Sequence, residues 1–485
     1  MRFHGVVSVL PVLAAATKHA HDSKYHVIKH QDHPHHKIHF VHNGVSSSSQ
    51  SLNAQKPSIA EVCAGATPGY TGYLISGSKH FYFAYFESRS NPATDPLVMW
   101  INGGPGCSSF TGLLHENGPC NVNLDGNGTT VNKHSWVNTA NMFYLDQPLG
   151  VGFSYDASKN AKTSESTAVA AKDLTIFLKL WYHRFPHTRS NDFHMSGESY
   201  AGHYLPKFAD HIVKHNEEAQ RLSKPSNMIP LKSIIMGNGL YDISIQQTTI
   251  YNTTCTNING VGPVLDKANC DQMEEDMTKC QQDYPACFER LGTAEGNAIC
   301  DAVYVFCQNA LLGVYAQSGR SMYDITKKCT DGVSCYPIDG ATARYMNDPK
   351  VRAGFGASDA AVKSYTMCNE DVLHTFYDKH DPFYPSAPFV AGLLDRGIRV
   401  FMYAGVHDVV CNFVGSEAVL AGLEWTGSEA YRAAAKRPRA WSGGLTWQSK
   451  NLRYARVKGA GHFVPYSQPV ASLEMFSKWI KNQEL

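Results

Sequence analysis

One stretch constrains this chain more than any other: Phe193-His194-Met195-Ser196-Gly197-Glu198-Ser199-Tyr200-Ala201-Gly202. Phe193–Ser196 is short and apolar and reads as a buried strand. From Tyr200 to about Asn216, Tyr204, Leu205, Phe208, Ile212 and Val213 recur at helical spacing. A strand, a glycine-bounded turn and a helix, with a serine at the apex, lift a hydroxyl above the carboxyl edge of a sheet. The helix N-terminus behind it favours negative charge on a bound oxyanion. The same stretch also fits a serine that merely caps a helix, so its meaning depends on what the rest of the chain brings to it.

From Tyr70 onward strand patterns alternate with helical ones. The expected strands are Tyr70–Ile75, Phe81–Phe86, Leu97–Ile101, Asn141–Leu145, Phe193–Ser196, Ser233–Met236, Arg399–Tyr403 and Leu452–Val457. The runs at Leu97, Ser233 and Arg399 are continuous and apolar, as strands covered on both faces should be. Thr163–Tyr182 carries Val169, Leu174, Phe177, Leu178 and Trp181 on one helical face. This predicts an α/β fold, a mostly parallel central sheet with flanking helices. The rhythm breaks between about Leu240 and Pro349, where eight of the 13 cysteines crowd into Cys255–Cys335. That density predicts a loop-rich, disulfide-stapled insertion over residues 241–349, a cap between core segments 59–240 and 350–485.

The N-terminus reads as a secretory signal over residues 1–16: Arg2, an apolar run from Val6 to Leu13, then Ala14-Ala15-Ala16. Residues 17–58 form a pro-segment expected to be disordered or removed, with nine of the 23 histidines between Lys18 and His42. A His-rich tract can bind metal, but no fixed ligand spacing is present, so no metal is expected. An odd cysteine count in an oxidising compartment suggests six bridges and one free thiol. Sequons at Asn127 and Asn252 suit secretion, either extracellular or vacuolar. A net charge of +1 gives no reason to expect nucleic acid or an anionic membrane as partner. No transmembrane segment is expected.

A serine nucleophile needs a histidine base and an acid to orient it. In α/β-hydrolases the chain order is Ser, Asp, His. The strand Arg399–Tyr403 runs into Ala404-Gly405-Val406-His407-Asp408, and Leu452–Val457 is followed by Gly459-Ala460-Gly461-His462. Each residue alone fits a solvated loop position. Together they stand in the required order, each after an expected strand. Upstream, Asn102-Gly103-Gly104-Pro105-Gly106-Cys107-Ser108-Ser109 follows an early strand, where this fold places its second oxyanion donor.

Asn102-Gly-Gly-Pro-Gly-Cys-Ser-Ser, Gly197-Glu-Ser-Tyr-Ala-Gly, Ala404-Gly-Val-His-Asp and Gly461-His-Phe-Val-Pro together resemble the serine carboxypeptidase family, over about Thr67 to Gln483. The resemblance implies an α/β-hydrolase fold with an inserted cap. It also implies release of C-terminal residues from peptides and proteins at acidic pH, with no cofactor. It makes Ser199 the nucleophile, His462 the base and Asp408 its partner. The N–H groups of Gly104 and Tyr200 become the oxyanion hole. Asn102, the Gly103 backbone, Glu198 and Glu116 become the site for the substrate's terminal carboxylate. Two close carboxyls cannot both ionise cheaply, so one stays protonated and donates to that carboxylate.

The cysteine run resembles that of the family's yeast vacuolar member. It implies Cys255–Cys270, Cys280–Cys307, Cys287–Cys300, Cys329–Cys335 and Cys107–Cys368, with Cys63–Cys120 remaining and Cys411 free. Thr111, His115, Leu240, Val410, Cys411 and Phe463 fall at subsite positions. His115 and Phe463 depart from the yeast member; a histidine at position 115 could select polar or acidic C-terminal residues, or be a neutral packed ring. An esterase or acyltransferase on the same scaffold is the alternative. Glu116 and Glu198 argue against it, since they serve to bind a free carboxylate. A catalytically dead binding subunit would lack a member of the triad, and none is missing. Monomer and homodimer are equally compatible with the sequence.

Overall fold

The computed structural model describes residues 26–29, 36–42, 58–158, 163–329, 335–357 and 362–485. The expected signal sequence lies outside them.

The eight expected strands all form and join one 13-stranded sheet. At its centre Asn141–Leu145, Leu97–Ile101, Phe193–Glu198, Leu231–Gly237, Arg399–Gly405 and Leu452–Val457 lie side by side, every pair parallel. The continuous apolar runs follow from helices covering both faces. Met99 and Ile101 point to one side, against Phe177, Trp181, Tyr204 and Phe208 of helices Thr167–Arg184 and Ala201–Arg221. Val98 and Trp100 point to the other, into a core with Trp136 and with Phe476 and Trp479 of helix Pro469–Ile480. Helix Thr167–Arg184 begins later than its apolar pattern suggests, because Ser166 caps it by accepting from the Val169 N–H.

Antiparallel strands finish both ends of the sheet. Arg439–Trp441 and Gly444–Ser449 extend one side. On the other, Lys79–Phe86 pairs with Gly69–Ser76, and His36–His42 pairs with Gly69–Ser76 in turn, followed by His26–Lys29. These two strands lie within the stretch 17–58 expected to be a disordered or removed pro-segment. Gly69–Ser76 would otherwise be an edge with unpaired backbone groups, and the stretch from His36 to His42 can satisfy them.

The insertion is helical rather than loop-rich. Lys267–Glu289 and Ala294–Cys307 form its two long helices. Cys280 and Cys287 are two turns apart on the first, Cys300 and Cys307 two turns apart on the second, and the pairs are bonded as Cys280–Cys307 and Cys287–Cys300. That pattern staples two antiparallel helices. The run Ala294–Ala316 is long and apolar enough to cross a bilayer by composition, but both of its cysteines bind it to the neighbouring helix. The other disulfides are Cys63–Cys120, Cys107–Cys368, Cys255–Cys270 and Cys329–Cys335, and Cys411 is free and buried.

Candidate active site

The carboxyl ends of the central parallel strands converge on one site. Ser199 follows the strand Phe193–Glu198 with φ +64°, a left-handed conformation costly for a residue with a side chain. Its backbone is held from both directions: its N–H donates to Gly237 O (3.1 Å) and its carbonyl accepts from Leu240 N–H (2.9 Å). The turn can close only because its neighbours lack side chains. A Cβ on Gly103 would stand 2.2 Å from the Tyr200 nitrogen, and one on Gly197 would stand 2.4 Å from Ile101 O. The Gly103–Gly104 loop thus lies directly against the serine turn.

Among the described residues, neither the Gly104 nor the Tyr200 N–H donates to a protein acceptor. The loop that carries Gly104 is braced from behind. Asp146 accepts from Ser108 Oγ (2.6 Å), Ser109 N–H (3.0 Å) and Phe153 N–H (3.0 Å). Burial pushes this carboxyl up to about 6, against the pull of those three donors. Cys107 is bonded to Cys368, and Ser108 N–H donates to Met367 O (2.7 Å). Tyr200 is anchored through its ring, its hydroxyl donating to Asp381 Oδ2 at 2.8 Å.

His462 Nδ1 lies 2.7 Å from Asp408 Oδ2, and both residues are buried. The carboxylate is fixed by three further donors: Asn238 Nδ2 (2.7 Å), Val410 N–H (3.1 Å) and Cys411 N–H (3.4 Å). Cys411 links this pair to the serine. Its sulfur lies within 4.8 Å of the facing atoms of Asp408 and His462, and Cys411 lines the same cavity as Ser199. Burial, then the Asp408 and Glu198 carboxylates, push that thiol well above its usual range, so it is a neutral neighbour and not a competing nucleophile.

Beside the serine lie two more buried carboxyls. Glu198 precedes Ser199, and Glu116 ends a π-helical turn, Gly112–Glu116. Burial first, and then the facing Glu116 carboxylate, raise Glu198 well above the usual carboxylate range. Glu116 is also raised by burial, with hydrogen bonds to Glu198 and Asn102 opposing. Asn102 is locked in one orientation. Its Oδ1 accepts from Trp100 Nε1 (2.8 Å) and Gly112 N–H (2.9 Å), which turns Nδ2 toward Glu116 Oε1 at 3.3 Å. The amide has a second hydrogen, and a carboxyl that keeps its proton is a donor, so the group can grip an anion.

Two cavities meet at Gly104. One of about 280 Å³ holds Ser199 and Tyr200 and is walled by Leu240, Val410, Cys411 and Tyr323. The other, of about 800 Å³, includes Tyr323, Tyr336 and Asp339. His115 is buried against the rings of Phe463, Tyr336 and Tyr466, and Thr111 is buried at the start of the same π-helical turn. Of the two sequons, Asn127 is exposed on a turn. Asn252 is half-buried in a short helix, with the Thr254 hydroxyl buried and donating to Ile250 O.

A family model described as serine carboxypeptidase matches residues 60–482. The chain belongs to the serine carboxypeptidase family. It is 40% identical over 423 residues to the vacuolar serine-type carboxypeptidase ATG42 of Saccharomyces cerevisiae, covering 85% of this chain and 78% of the relative. It is 38% identical over 421 residues to carboxypeptidase Y homolog A of Talaromyces stipitatus, covering 85% and 72%. The solved structure of the prohormone-processing carboxypeptidase Kex1 of Saccharomyces cerevisiae aligns with 88% of this chain and 94% of its own, at TM-score 0.72 and 23% identity, a likeness of fold alone.

Several residues of this serine carboxypeptidase site carry no sequence signal of their own. Asn238, which donates to Asp408, stands after a strand between two glycines and reads as a turn residue. Asp381 and Asp339 lie far from every motif. Cys411 puts a free, buried thiol beside Asp408 and His462. A mercurial, or a bulky thiol reagent that reaches the smaller cavity, is expected to inactivate the wild type, and Cys411→Ala is expected to keep activity under the same treatment. Equal loss in both proteins would show that the reagent acts elsewhere.

Proposed function

We propose that this carboxypeptidase hydrolyses the last peptide bond of peptides and proteins through an acyl-enzyme on Ser199. Ser199 Oγ attacks the scissile carbonyl and its proton passes to His462, whose imidazolium is stabilised by Asp408. The developing oxyanion takes the Gly104 and Tyr200 N–H groups. His462 then protonates the departing amine, which leaves as a free amino acid, and water, deprotonated by His462, releases the acyl group. The reading rests on the pair of facing buried carboxyls beside Asn102. A general hydrolase has no use for them, but a terminal carboxylate does.

The pair also sets a pH dependence. Because the carboxyl pKa is raised, the proton that donates to substrate is present at acidic pH and is lost as pH rises through that raised value. KM for a blocked dipeptide with a free C-terminus is therefore expected to climb toward neutral pH, and the corresponding amide to escape the climb. Glu198→Gln keeps a donor that cannot ionise, so its KM for the free acid should stay flat. The experiment is release of the C-terminal amino acid from a blocked dipeptide and its amide between pH 4 and about 8, around the ordinary carboxyl and imidazole ranges. No release, or identical profiles for acid and amide, would overturn the reading. The expected signal sequence and the six disulfides support passage through the secretory pathway to the vacuole or the exterior, with a glycan proposed at Asn127.

A further inference from the structure

The side chain of the released residue has one place to go. Its carboxylate is held at Glu116, and the residue before Glu116 is His115. His115 is packed against Tyr336 of the larger cavity and against Phe463, which follows the catalytic histidine. The acyl part of the substrate takes the other direction from Gly104, into the smaller cavity with Ser199, Leu240 and Cys411. Beyond the His115, Tyr336 and Phe463 rings, the larger cavity presents Asp339.

We propose that Asp339 selects a basic C-terminal residue, lysine or arginine, as the residue this enzyme releases. The proposal rests on the reaction assigned above and adds the substrate class. Asp339 stands in the first turn of helix Pro337–Met346, where the helix N-terminus favours a negative charge. Its side chain is 14% exposed and its Oδ1 lies 3.3 Å from His115 Nδ1. Tyr323 and Tyr336 line the same cavity as Asp339, and such rings suit an aliphatic stem and a cationic head.

The other charged groups facing this space do not favour an acidic residue. His115 is committed to Asp339 and enclosed by rings. Arg344 directs its Nη2 to Leu124 O at 3.1 Å. Glu370 adds a second acid to the lining, and Glu198 a third carboxyl within electrostatic reach of Asp339. The acidic preference that a lone histidine at position 115 suggests is thus reversed by the carboxylate it contacts.

The test compares blocked dipeptides that share the penultimate residue and end in lysine, norleucine or glutamate. A charged hydrogen bond to Asp339 should give lysine about a tenfold higher kcat/KM than norleucine. Asp339→Asn should bring the lysine-to-norleucine ratio of kcat/KM close to one. His115→Phe, which removes the ring nitrogen that contacts Asp339, should widen it. Equal rates for lysine and norleucine in the wild type, a parallel fall for both in Asp339→Asn, or glutamate as the best substrate would each overturn the proposal. Norleucine release without lysine preference would leave the Ser199 reaction standing. Failure to release any residue would overturn both.

Discussion

Asp408→Asn is expected to lower kcat by about 10⁴-fold with the fold intact. The carboxylate accepts from four donors at once: His462 Nδ1, Asn238 Nδ2 and the N–H groups of Val410 and Cys411. The two backbone donors meet Oδ1, so an asparagine must turn its amide nitrogen toward Oδ2's place. There it faces His462 Nδ1 as a donor. Histidine then carries its proton on Nε2, the atom that must receive the serine proton. Steady-state kinetics measure the loss. Labelling with a fluorophosphonate should slow in the same proportion, because it uses the same proton transfer. Asn238→Ala removes one charge-assisted donor and should cost about tenfold. A modest loss in Asp408→Asn would mean that another group orients His462.

The second large effect is on stability. Asp381 is buried and accepts from Thr167 N–H (3.0 Å), the Thr167 hydroxyl (2.5 Å) and the Tyr200 hydroxyl (2.8 Å). It therefore ties the start of helix Thr167–Arg184 to Tyr200, the residue proposed to supply an oxyanion donor. His203 packs beside it, pushed down to about 3 by burial and hence neutral, with Nε2 at 2.8 Å from the Asp381 carbonyl. Asp381→Ala strands three donors in a dry interior, a loss of about 3 kcal/mol or more. Resistance to irreversible heat inactivation should fall sharply, and kcat should fall more than KM rises, since Tyr200 loses its anchor. Unchanged heat resistance would show that water replaces the carboxylate.

The pattern of what the sequence reveals follows from burial. The central strands are legible because both of their faces are covered, so Leu97–Ile101 is apolar at every position. The helices of the insertion are hard to read from sequence because helix Lys267–Glu289 buries only Met273, Cys280, Tyr284 and Cys287. Its signal was the seven-residue spacing of cysteines, two helical turns. The triad candidates, oxyanion loop and carboxylate pair sit inside motifs whose glycines are demanded by close backbone approach, as at Gly103 and Gly197. Asn238, Asp381 and Asp339 act through contacts with residues 170, 181 and 224 positions away. No local pattern can announce such partners.

The distances along the chain also set when the enzyme can exist during synthesis. Cys287–Cys300, Cys255–Cys270 and Cys280–Cys307 span 13, 15 and 27 residues, so the insertion can staple itself as soon as it emerges. Cys107–Cys368 spans 261 residues, and the oxyanion loop waits for its partner until most of the chain has been made. His462 comes later still. A nascent chain emerging beside other unfolded proteins thus carries its nucleophile long before it carries the base.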